Sequence, residues 1–145
     1  MPFEAPDFAA QLRVCVHGYE GEHERSIRHA PDLFEFYRAL FADERLPREL
    51  RTMVNGVLAY FVVPDDMLPE ETLGPYGLLD DLFVASHAYR VLRRELPREV
   101  IASAWRADGD IDEIMSFVHS DARKAVGRGA RAVLRLAGLA GGEGV

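Results

Sequence analysis

With Cys15 as its single cysteine, the chain can form no intrachain disulfide and no thiolate metal cluster, which fits a reducing compartment. Helical spacing predicts a core position for that thiol. Long apolar runs are also missing: the longest, Val57 to Val63, falls far short of the roughly 20 residues that a membrane-crossing helix needs. The opening residues, Met1-Pro2-Phe3-Glu4-Ala5-Pro6-Asp7, place acids and prolines where a secretion signal carries basic residues and then an apolar stretch. The expected location is the cytoplasm. Positive charge is short as well, with 17 Lys and Arg against 24 Asp and Glu and a net charge of -7, which argues against general affinity for nucleic acid. No glycine-rich phosphate loop, nucleophile elbow or Cys/His zinc spacing occurs, so most familiar enzyme classes lack support.

Apolar residues are plentiful. At 145 residues, 48% hydrophobic and 28% charged, the chain has the size and composition of one domain with a packed core. Pro6, Pro31, Pro47 and Pro97 each stand at the head of a stretch with helical spacing, where a missing N–H costs nothing. The spacing predicts helices over about 7–27, 31–43, 47–62, 78–92 and 97–106, then one opening at Asp110 as N-cap and a last from 121 to 139. The 47–62 helix, with Leu50, Met53, Val54, Val57, Leu58 and Phe61 on one broad stripe, reads as the most buried. Nothing supports a strand ladder or a second domain. The expected fold is an all-α, compact bundle of about five to seven helices, with the third and fourth forming a central antiparallel hairpin and residues 140–145 a flexible tail.

The loop of that hairpin carries the densest pattern in the chain. Tyr60-Phe61-Val62-Val63-Pro64-Asp65-Asp66-Met67-Leu68-Pro69-Glu70, followed by Gly77-Leu78-Leu79-Asp80-Asp81, closely resembles the signature of the YkvA-like domain-of-unknown-function family, over roughly 51–91. The resemblance implies a small helical fold and no established reaction, and some relatives look membrane-associated. Asp65 departs from the pattern, being an extra charge where an aliphatic residue is more usual. Without reference to any family, Pro64 ends a helix, Pro69 stiffens the loop, Gly77 gives conformational freedom and Tyr60 can reach across. Asp80 and Asp81 are expected in the first turn of the next helix, where carboxylates meet unpaired N–H groups and the positive end of the dipole. Capping explains these acids most simply. The sharper alternative has Asp66, Asp80, Asp81 and Glu70 converging on a hard divalent cation, Mg2+, Mn2+ or Ca2+, in support of phosphoester chemistry.

Histidines and the basic end complete the candidates. Glu20-Gly21-Glu22-His23 has a Glu-x-x-His spacing that a di-iron bundle needs twice and this chain has once, so it reads as a solvated acidic stretch. His87 is expected too far along its helix from Asp81 to share an ion, and His29 and His119 read as surface or capping groups near helix ends. Lys124, Arg128, Arg131 and Arg135 fall on one side of the last predicted helix, opposite an alanine-rich apolar face. Such a helix can complete the core or meet an anionic membrane surface or partner. The reading that follows is a non-enzymatic adaptor or protein-interaction domain, acting with a protein partner or as a homo-oligomer and requiring no cofactor. The alternatives are a carboxylate-metal enzyme acting on phosphoesters and a membrane-surface accessory protein.

Overall fold

The computed structural model describes residues 5–62 and 78–127. Its elements are α1 (Ala5–Val16), α2 (Glu24–Ile27), α3 (Ala30–Ala42), α4 (Arg48–Val62), α5 (Leu79–Glu95), α6 (Arg98–Ala104) and α7 (Ile111–Val126). Among the described residues there is no strand, and the all-helical expectation holds. The prolines do what their chemistry allows. Pro31 lies in the first turn of α3, while Pro47 and Pro97 stand one residue ahead of α4 and α6 and offer their carbonyls to the N–H groups of Arg51 and Ile101. Leu96, forced toward extended geometry by the proline after it, closes α5 at φ -103°, ψ 148°.

Two boundaries differ from expectation, and each has a local cause. The helix predicted over 7–27 is broken: α1 stops at Val16, and Gly18 takes φ 73°, a left-handed conformation that costs an L side chain about 1 kcal/mol or more. The break predicted near 121 is absent. α7 runs through it to Val126, because His119 to Ala122 includes no breaker and Ala122 is fully buried. Asp110 caps this helix as expected, its carboxylate accepting the Asp112 N–H at 2.9 Å.

The most buried helix is α5 rather than α4. Along α5 the buried set includes Leu79, Leu82, Phe83, Ala85, Ala88 and Leu92, since it packs against α2, α3, α4 and α7. α3 sits across it, itself touching α1, α4 and α6. Phe34 is fully buried between Phe8 and Phe61, at ring separations of 4.9 and 5.5 Å, an arrangement that adds edge-type contacts to area burial. Tyr37, also fully buried, donates its hydroxyl to the Ala85 carbonyl at 2.5 Å, and desolvation pushes its pKa up. Cys15 is exposed, contrary to the expected core position. Ala9, Leu12 and Val16 take the inward face of α1, leaving Cys15 on its flank.

Candidate functional site: the groove between α5 and α7

Contacts late in α5 and early in α7 set the two helices antiparallel. Arg93 meets Asp112 near one end, and His87 meets His119 about two turns along. Residues three and four apart line up on each helix, so Ser86, Tyr89, Arg90 and Arg93 face Asp112, Met115, Ser116 and His119 across a groove of about 650 Å³.

The two ends of this groove differ in electrostatics. At one, Asp112 accepts from the Tyr89 hydroxyl at 2.5 Å, Arg93 Nε at 2.9 Å and Arg98 at 3.3 Å. Those donors, Arg93 first, hold the Asp112 carboxyl at about 2, below its ordinary value of 3.8. Burial, joined by the hydrogen bond to Asp112, pushes the Tyr89 phenol up. The other end is different. Arg90 and Arg123 form no ion pair among the described residues.

Beside those arginines the rings of His87 and His119 stack at 5.7 Å and 30°, with Phe83 against both. His87 Nδ1 and His119 Nε2 are buried atoms with no hydrogen-bond partner among the described residues. Desolvation lowers the pKa of each imidazole, with Arg90 and Arg123 adding to the effect, and His119 falls to about 4. Sequence reasoning missed this pair by assigning His119 to a helix end. Phe83 and His87 sit one turn apart, which signals a shared face; the partner helix leaves no such local signal.

The acids singled out from sequence lie elsewhere. Asp80 and Asp81 occupy the first turn of α5 as expected and are 0% exposed. Asp80 Oδ1 accepts the Asp81 N–H at 3.0 Å, and both residues make further interactions, as does Tyr60, buried near the end of α4. Asp66 and Glu70, with Pro64, Pro69 and Gly77, lie outside the described residues. Among the described residues no three His, Cys, Asp or Glu side chains are placed to hold one ion. Lys124 is exposed on the last turn of α7, and Arg128, Arg131 and Arg135 lie outside the described residues.

Glu20 and His23 share no helix face, because residues 17–23 are turn and coil. Asp121 instead bridges α2 to α7, accepting from Ser26 Oγ at 2.7 Å and pairing with His23 Nδ1 at 2.9 Å. A nucleophilic serine needs the imidazole between hydroxyl and carboxylate. Here the carboxylate is in the middle, so the cluster is a tether rather than a triad.

Residues 50–86 match a family model described as "Protein of unknown function (DUF1232)". That segment covers most of α4 and the first half of α5, and so includes Tyr60, Asp80 and Asp81. Over a longer span the chain is similar to a protein of Methanothermobacter thermautotrophicus described as "Uncharacterized protein ORF9", 29% identical over 121 residues and covering 83% of each chain. No solved structure matches. Among the described residues no helix is long and apolar enough to cross a membrane.

Proposed function

We propose that the chain is a YkvA-like helical adaptor, a non-enzymatic domain that works through its surface with a protein partner or with further copies of itself. The burial of Asp80 and Asp81 carries this reading. These two acids of the matched segment are 0% exposed within helix packing, and a buried carboxylate has to be satisfied by neighbours if the fold is to hold. Their place in the first turn of α5 fits that structural role.

The rival is a metal-dependent enzyme using Asp66, Asp80, Asp81 and Glu70. Titration of the full chain with Mn2+, followed by NMR, separates the two. The adaptor reading expects no site-specific paramagnetic broadening at Asp66, Asp80 or Asp81 at millimolar metal, together with self-association or a stoichiometric protein complex in sedimentation velocity. Saturable broadening at those aspartates overturns it.

A membrane-surface role draws support from the exposed Arg123 and Lys124 in the last turn of α7, at the head of the basic stretch with Arg128, Arg131 and Arg135. Because Ala122 belongs to the core, truncation after Gly127 is the suitable comparison. Equal sedimentation of full and truncated chains with anionic liposomes removes this reading.

A further inference from the structure

We propose that the α5/α7 groove binds a phosphate-type dianion at its His119 end, where Arg90 lines the groove wall and Arg123 stands one turn beyond His119. Both arginines act on the His87–His119 stack. The idea goes beyond the adaptor reading and does not depend on it.

Charge placement is the first support. Arg90 stands three residues from His87 on α5, and Arg123 four residues from His119 on α7, so each guanidinium lies one turn from an imidazole of the stack. Along the same groove Arg93 and Arg98 already share Asp112, whereas no carboxylate among the described residues pairs with Arg90 or Arg123. In a chain of net charge -7, two such guanidiniums from facing helices form a local exception that suits an anion. Arginine presents a planar fork of donors matched to phosphate oxygens.

The imidazoles supply the second support. His87 Nδ1 and His119 Nε2 are buried without partners among the described residues, a condition that costs about 1 to 3 kcal/mol per group when nothing satisfies it. Protonation would make every ring nitrogen a donor; burial opposes it first and the neighbouring guanidiniums second. An anion between the arginines offsets their contribution, though not that of burial, and so raises both imidazole pKa values. A metal cation, the other common ligand of paired histidines, is disfavoured by the same two arginines. Ser116 lines the same groove as Arg90 and His119, and that groove, about 650 Å³ and continuing toward Arg93 and Asp112, leaves room for a substituent on the phosphate.

Binding therefore takes up protons. Since the imidazole pKa values are higher with the anion bound than without it, affinity rises as pH falls through the bound-state values toward the free ones. Among the described residues the charged groups acting on the histidines are Arg90 on α5 and Arg123 on α7, with His87 also acting on His119; the arginines keep their charge throughout, and protonation of His87 opposes that of His119, so the second proton is taken up at lower pH than the first. Phosphate loses its own second charge near the same pH, so sulfate, a dianion throughout, isolates the protein's contribution.

The test follows the Cε1–H signals of His87 and His119 in the full chain during titration with sodium sulfate and with sodium phosphate, against sodium chloride at equal ionic strength. Expected are saturable shifts with sulfate and phosphate, a raised pKa for both histidines, and at least a roughly tenfold loss of affinity in the R90Q/R123Q variant, equivalent to about 1.4 kcal/mol. Both arginines are exposed, and an unchanged urea midpoint checks that the variant is folded. Vesicles of phosphatidylcholine with phosphatidic acid form a second arm: arginine-dependent vesicle binding makes a lipid headgroup the source of the phosphate, and its absence alongside phosphate binding makes the source soluble. The proposal is overturned if chloride reproduces the shifts, if neither histidine responds to about 10 mM phosphate, or if R90Q/R123Q binds like the parent.

Discussion

Replacing Asp112 by Asn removes the negative charge beneath Tyr89, Arg93 and Arg98 while keeping the size of the side chain. The carboxyl is held at about 2 against an ordinary 3.8, and every tenfold gain in acidity is worth about 1.4 kcal/mol of preference for the charged form, which sets an upper bound of roughly 2.5 kcal/mol. The side chain is 34% exposed, so solvent screens much of this, and pairs of that exposure contribute about 0 to 1 kcal/mol. Asp112 also lies in the first turn of α7, where a negative charge adds a few tenths. The expected loss at neutral pH is about 1 kcal/mol. Because the folded-state pKa is depressed, this contribution is fully present well above 3.8 and is lost as pH falls through about 2. Urea unfolding of the parent and D112N should therefore show a gap that is widest at neutral pH and closes on acidification. High salt should narrow it as well. A double-mutant cycle with Arg93→Gln separates the ion pair from the dipole effect. Equal stability at neutral pH, or a gap indifferent to both pH and salt, refutes the electrostatic account.

Phe34→Ala should cost about 3 to 5 kcal/mol, since the ring is fully buried between Phe8 and Phe61; a loss under about 1 kcal/mol in urea unfolding would contradict that packing. Asp121→Ala strips the carboxylate from the fully buried Ser26 and from His23 and should cost about 1 to 3 kcal/mol. Hydrogen exchange should rise in α2 more than in α4, and unchanged α2 amides would count against the tether. Gly109→Ala meets a backbone at φ 92° and places a Cβ 3.0 Å from Ile114 Cδ1, so a lowered melting temperature is expected, with a cost of about 1 kcal/mol or more; an unchanged melt would refute it.

Helix termini were the most legible part of this fold, because the groups that decide them are neighbours in the chain. Pro31, Pro47 and Pro97 placed the starts of α3, α4 and α6 within a residue or two, and the aspartate expected to cap α7 does so. The family resemblance drawn from Tyr60 to Asp81 overlaps the matched segment, 50–86. Aspartates 80 and 81 were correctly assigned to a first turn, yet their complete burial depends on what packs over α5. Amphipathic spacing likewise gave Cys15 to the core, when Ala9, Leu12 and Val16 fill that face of α1 and leave the thiol exposed.

Local chemistry along the chain specifies helices, most of their starts and the acidic character of the segment joining α4 to α5. Proline geometry, N-capping and the i, i+4 hydrogen bond act over a few residues, and composition reports them directly. Packing between helices is what makes α5 the central helix, gathers Tyr89, Arg93 and Arg98 around Asp112, and lays His87 against His119 beside two arginines that pair with no acid among the described residues. Those relations join residues 14 to 32 positions apart on different helices. They follow from which faces pack together, a choice made by the core as a whole rather than by any local run of residues.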